Sequence, residues 1–209
     1  MKKPAVALGF LFVAAALSVL AGNAWAAEKL YGSVWTSPKP APDFELKDRA
    51  GKRVRLASLR GKVVALTFVF TQCPQVCPII TAKLKVVADG LGERFGKEAV
   101  FVLISVDPEG DTPEAIKKYQ EAHDVRWPYL VGSEKELAQV WGDYGVMVER
   151  RPLDSQSGHG SHARPYTIDH TAKLVLIDEK GLMRVQVPGY LWPPEKILKN
   201  IEILAKERR

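Results

Sequence analysis

The sequence is poor in the side chains that hold transition metals, and it lacks the marks of a nucleic-acid binder. Only two cysteines and four histidines occur among 209 residues. No internal repeat is found, and no nucleic-acid motif accompanies the basic residues, which are interspersed with acidic ones up to a short KERR tail. The formal charge is +6, and setting Lys2 and Lys3 apart from the 30 basic residues leaves 28 against 24 acidic ones. So mild a balance selects no acidic partner, and nucleic acid is set aside. A hydrophobic share of 46% and a charged share of 26% fit one well-packed domain.

The N-terminus has a different composition. Lys2 and Lys3 precede an uncharged apolar run from about Ala5 to Gly22, and Ala24 and Ala26 come before charge resumes at Glu28. Basic, apolar and A-x-A segments in that order form the pattern of a secretory signal peptide, with cleavage expected after Ala26. The alternative is retention as a membrane anchor, because the run stands at the lower edge of the roughly 17 to 25 apolar residues a span needs. Either way the rest of the chain works outside the cytoplasm. The expected organisation is a signal peptide at 1–26, a linker at 27–40 and one domain at 41–209.

Past a Pro-rich approach, "KVVALTFVF" (Lys62 to Phe70) is a continuous apolar, β-branched and aromatic run, which predicts a buried central strand. Ile80, Leu84, Val87 and Leu91 then recur at helical spacing, predicting a helix from about Pro78 to Gly90–Gly92. The pattern repeats: a strand at Ala99 to Val106, a helix capped by Thr112 with Pro113 at its first position, a short strand in "WPYLVG", and a helix opened by a Ser133/Glu136 capping box. Glu149 to Pro165 is polar and reads as a long exposed loop. A hairpin around "DEKG" and a helix with Pro194 near its start close the chain. Strands alternating with helices predict an α/β fold with a central mixed sheet flanked by helices. The thioredoxin-like fold, whose working cysteines stand where a central strand meets a helix, is one such architecture.

Both cysteines lie at that junction, in "FVFTQCPQVCPII", as Cys73 and Cys77. As a structural staple they would close a loop of about five residues, worth only roughly 2 kcal/mol before strain. At a helix N-terminus, thiols are drawn toward the reactive thiolate, and a spacing of i, i+4 sets the two sulfurs close enough to bridge or to share an ion. The usual redox signature, C-x-x-C, has one residue fewer. A metal needs at least a third ligand.

Among the histidines, His123 stands at the end of a predicted helix, where an imidazole is ordinary. His159 and His162 form H-x-x-H in the Gly/Ser-rich loop, a composition that allows weak metal binding. His170, in "YTIDHTAKLVLID", enters the hairpin at a position that a thioredoxin-like fold brings beside the cysteine helix. Two thiolates and one imidazole suit Cu(I), added oxygen or nitrogen ligands would serve Cu(II), and zinc fits on ligand type alone. Asp169 is a candidate to orient the imidazole, although strand alternation can also turn it away.

"GKVVALTFVFTQCPQVCP", "ISVDPEGDTPE", "YGV", "DHT" and "LVLIDEKGLM" together resemble the Sco/SenC family, thioredoxin-like copper chaperones of cytochrome c oxidase assembly, from about Ala41 to about Ile203. The resemblance implies copper bound by Cys73, Cys77 and His170. It also implies delivery to the CuA centre of cytochrome c oxidase subunit II, with reduction of that centre's cysteines as a further role. A monomer in the periplasm, anchored or not to the inner membrane, is the matching expectation, and such a chaperone is not an enzyme. Gln75 departs from the family, which commonly has an acidic residue between its cysteines, and the histidine-rich character of the loop with His159 and His162 does not map onto it. The competing class is a thiol-disulfide oxidoreductase or peroxide reductase with Cys73 as nucleophile and Cys77 as resolving thiol. Copper sensing or storage, with the H-x-x-H loop contributing, is the third.

Overall fold

The computed structural model describes residues 29–152 and 165–207. At its centre runs β4 (Val63–Val69), with all seven residues buried, as its unbroken apolar run requires of a strand covered on both faces. β5 (Ala99–Ser105) lies parallel to it, with Val63 opposite Ala99 and Val69 opposite Ser105, and the short β6 (Tyr129–Leu130) lies parallel to β5. On the other side, β9 (Lys173–Ile177) runs antiparallel to β4, followed by β10 (Leu182–Pro188) and β1 (Ser33–Pro40). The six-stranded order is therefore β1-β10-β9-β4-β5-β6, a mixed sheet flanked by helices.

The helices connect and cover it. α1 (Val76–Leu91) links β4 to β5 and packs against the closing helix α4 (Pro194–Lys206). α2 (Pro113–Ala122) links β5 to β6 and is tied to α1 by a 2.6 Å hydrogen bond between Thr81 and Tyr119. Both predicted caps form: the Thr112 hydroxyl accepts the Ala115 N–H at 3.2 Å, and Ser133 and Glu136 make the capping box of α3 (Glu134–Asp143). α3 ends at Tyr144, whose ring stands 5.9 Å from that of Phe68 in β4.

Three stretches differ from expectation. α1 begins at Val76 rather than at Pro78, so Cys77 lies within its first turn. The stretch whose composition suggests a linker, 27–40, carries β1, an exposed edge strand on which prolines are tolerated and no apolar alternation is required. The long loop starts late: β7 (Val148–Pro152) pairs antiparallel with β8 (Tyr166–His170), with Val148 opposite His170. Glu149 to Pro152 are exposed, so this ribbon has no buried face on β7 to give a strand period, and side-chain contacts brace it instead. Arg150 stacks over Tyr166, and Arg151 pairs with Asp169 at 3.2 Å. A further two-stranded ribbon, β2 (Glu45–Lys47) with β3 (Arg53–Arg55), was not legible in the sequence. His159, His162 and residues 1–26 lie outside the described residues.

Candidate metal centre

β4 delivers the chain to the site and the backbone then turns sharply, with the Cys73 N–H bonded to the Phe70 carbonyl at 3.2 Å. α1 opens at Gln75 without a side-chain cap of the usual kind. The Cys73 sulfur takes that role, accepting the Cys77 N–H at 3.3 Å and so satisfying one of the helix's orphan donors. Cys73 is half-buried and Cys77 fully buried, and neither is in a disulfide.

This geometry separates the two thiols. A hydrogen bond from the Cys77 side chain, joined by the N–H groups of Cys77, Gln75 and Val76, outweighs burial and draws the Cys73 pKa down to about 6. The same bond and burial push the Cys77 thiol far up. At neutral pH the pair is one thiolate and one thiol.

His170, the last residue of β8, brings its Nε2 to 4.0 Å from the Cys77 sulfur. Its Nδ1 stands 3.2 Å from the Thr171 carbonyl, which can only accept, so Nδ1 carries the proton and the Nε2 lone pair is free. Burial lowers its pKa and keeps the ring neutral, and Phe70 supports it edge-on with centroids 5.9 Å apart. Asp169 does not orient the ring. It is exposed and paired with Arg151, as strand alternation dictates for the neighbour of an inward residue. His123 caps the end of α2 and packs against Tyr119 at 4.4 Å.

The donor set fits a soft ion. Bonds of about 2.3 Å to sulfur and about 2.0 Å to imidazole nitrogen, at a trigonal angle, span about 3.7 Å. The 4.0 Å between Cys77 and His170 is close to that. Among the described residues no three His, Cys, Asp or Glu side chains are gathered tightly enough to hold an ion, and Cys73, the more exposed of the two cysteines, would be the donor to close such a set.

The supporting residues were not singled out from sequence. Lys173, buried at the start of β9, donates to the Tyr144 and Gly145 carbonyls at 2.7 and 2.8 Å, and its own carbonyl accepts the Thr67 hydroxyl at 2.9 Å. It thus ties the end of α3 and β4 to the strand that follows His170. Asp111 accepts the Thr71 N–H, two residues before Cys73, at 2.8 Å. The available signal was the polar "SVDPEGD" segment directly after an apolar strand, which local patterning alone reads as a turn.

A mixed sheet with a strand-to-helix cysteine pair and a facing histidine defines a thioredoxin-like protein with a dithiol–imidazole site. Comparison with known proteins narrows this. Residues 36–206 match the SCO1/SenC family, and the chain belongs to it. It is 35% identical over 141 residues to the human mitochondrial SCO2 homolog, covering 67% of this chain and 50% of that one, so the match spans half the relative's length. Among solved structures, ScoI of Bradyrhizobium japonicum with copper bound is similar at 30% identity and a TM-score of 0.65, covering 79% of this chain and 99% of that chain. ScoI of Arabidopsis thaliana, also with copper bound, is similar at 27% identity and 0.68, covering 82% and 100%.

Proposed function

We propose that the protein is a copper chaperone that holds one copper ion through Cys73, Cys77 and His170 and hands it to the CuA centre of cytochrome c oxidase subunit II. The observation that carries this reading is the approach of His170 Nε2 to the Cys77 sulfur, since a dithiol enzyme has no need of a neutral imidazole there. The copper-bound relatives support it.

The residues divide the work. The Cys73 thiolate, half-exposed, meets the ion first. Cys77 gives up its proton as its sulfur bonds, and the neutral His170 adds nitrogen without proton loss. Release proceeds by ligand exchange, with the acceptor's soft ligands replacing these one at a time. Exchange requires contact between proteins, and exposed Ile79, in the turn that holds Cys77, and exposed Met147, whose backbone pairs with Thr171, flank the site.

The asymmetric thiols support a second role, reduction of the acceptor's cysteines. The Cys73 thiolate attacks one sulfur of the target disulfide, releasing the other as a thiolate. Cys77, losing its proton, then displaces the mixed disulfide, leaving a Cys73–Cys77 bridge and two reduced cysteines on the target.

The N-terminal pattern of the sequence supports a place on the outer side of the bacterial inner membrane, with or without an anchor. Among the described residues no helix is long and apolar enough to cross a membrane. The protein works as a monomer in this reading.

An anaerobic Cu(I) titration against a chromophoric chelator, comparing the reduced protein with His170→Ala, tests the assignment. One tightly held copper in the parent and markedly weaker binding in the variant are expected. Equally weak binding by both would leave the cysteines as a redox couple only.

A further inference from the structure

The cysteines and the histidine come from segments far apart in sequence, yet a single chain of hydrogen bonds joins the two supports. It begins at the Thr71 N–H, in the turn that leads to Cys73, which bonds Asp111 Oδ1 at 2.8 Å. The other oxygen of Asp111 accepts the Ser105 hydroxyl at 2.6 Å and the Tyr129 hydroxyl at 2.7 Å. The Ser105 oxygen accepts in turn the Asp107 N–H at 2.9 Å. Asp107 Oδ1 accepts the Tyr166 hydroxyl at 3.0 Å, and Tyr166 opens β8, the strand that ends in His170. Arg150, on the facing strand β7, lies 3.8 Å from the same carboxylate and stacks over Tyr166. Asp111 is 2% exposed and Asp107 0%.

Two buried carboxylates on one short loop are costly to desolvate, and local closure accounts for only some of their bonds, among them the Gly110 N–H donated to Asp107 Oδ1 at 3.1 Å. Each also binds a segment carrying one half of the candidate metal centre. We infer that the Ser105–Asp111 loop is the positioning element of the site: Asp111 sets the Cys73 turn, and Asp107, through Tyr166, sets the strand of His170. The inference rests on the copper-chaperone reading for its binding assay and stands apart from it in its geometry. Asp107, Asp111 and Tyr166 are positioning residues, not ligands.

Tyr166→Phe is the sharpest test, because it removes one hydroxyl from a half-buried ring and leaves the core intact. Cu(I) affinity is measured for the parent, Tyr166→Phe, His170→Ala and the double variant. Imidazole signals of His170 are recorded by NMR on the copper-free parent and Tyr166→Phe. The expected result is a loss of about threefold to tenfold for Tyr166→Phe, the order of one hydrogen bond, that disappears in the His170→Ala background, together with displaced His170 signals. A loss of equal size in both backgrounds overturns the inference. So does parent-like affinity with unmoved ring signals while His170→Ala binds weakly, a result that leaves the copper reading intact. If parent and His170→Ala bind equally weakly, the copper reading fails and the ring signals decide alone: displaced, they uphold the positioning role; unmoved, they end it. Asp111→Asn is the companion variant, since its amide has a single accepting oxygen and cannot serve both the Thr71 N–H and the Ser105 and Tyr129 hydroxyls as the carboxylate does. Copper binding weakened alongside a retained folding transition is expected, and parent-like copper binding in that variant counts against the inference.

Discussion

The Cys77 N–H points at the Cys73 sulfur from 3.3 Å, so the helix caps itself on the sulfur proposed to meet the metal. The bond from the Cys77 thiol, with this N–H contact beside it, favours the thiolate and lowers the Cys73 pKa to about 6 against an ordinary value of 9.0. A depressed pKa stabilises the fold above the unfolded-state value and loses that contribution as pH falls through the folded value. The raised pKa of Cys77 acts oppositely, giving stability below pH 9 that is lost above it. Stability of the reduced, metal-free protein therefore climbs between about pH 6 and 9 and declines beyond. Urea midpoints across that range measure it, and Cys73→Ser flattens the climb. A profile unchanged by that substitution would remove the thiolate from the site.

The same asymmetry sets a proton count. At pH 7.5 Cys73 is already ionised and His170 is neutral, so closing the set on Cu(I) releases about one proton, from Cys77. At pH 5 Cys73 is protonated as well and the count rises toward two. Calorimetry in buffers of different ionisation enthalpy gives the number directly. Two protons at pH 7.5 would mean that Cys73 is an ordinary thiol.

Lys173 tests the frame rather than the ligands. Its ammonium satisfies two carbonyls at the end of α3 from a buried position, and Lys173→Met leaves both unpaired. A loss of about 2 to 3 kcal/mol of stability is expected from denaturant unfolding. His170 lies three residues upstream, so copper affinity falls too. A variant with wild-type stability would show that water replaces the ammonium freely.

The sequence made the central part of this molecule legible and the periphery much less so. β4, β5 and β9 are predominantly apolar because both faces are covered, and the helix caps are local chemistry, so each left a pattern. β1, β2, β3 and β7 are short or exposed, and a strand with a solvated face and no core partner leaves none. At the site, Cys73, Cys77 and His170 stood out as scarce residue types in a strand-helix frame. Lys173 and Asp111 did not, because a buried ion that bonds distant backbone groups looks in sequence like any surface charge.

Handover should depend on uncharged surface beside the ligands. Met147 is 79% exposed and is held through its backbone to Thr171, next to His170. Leu191 is 80% exposed, and Lys83, one helical turn beyond Ile79, bonds the carbonyls of both its neighbours, Tyr190 and Trp192, at 2.9 Å. The Gly189 N–H bonds the Ala172 carbonyl at 2.8 Å, which brings this segment toward the His170 turn as well. Two large apolar side chains held in water, on segments tied to the turn after His170, are suited to burial against an acceptor of the proposed copper ion. Replacing both Met147 and Leu191 with serine removes apolar contact area without touching a ligand. Cu(I) affinity then stays within about twofold of the parent, while transfer to a soluble CuA domain slows by about tenfold, the order expected for losing tens of Å² of apolar burial. The slowing persists at high salt, because no ion pair is lost. Parent-like transfer rates in the double variant would place the contact surface elsewhere.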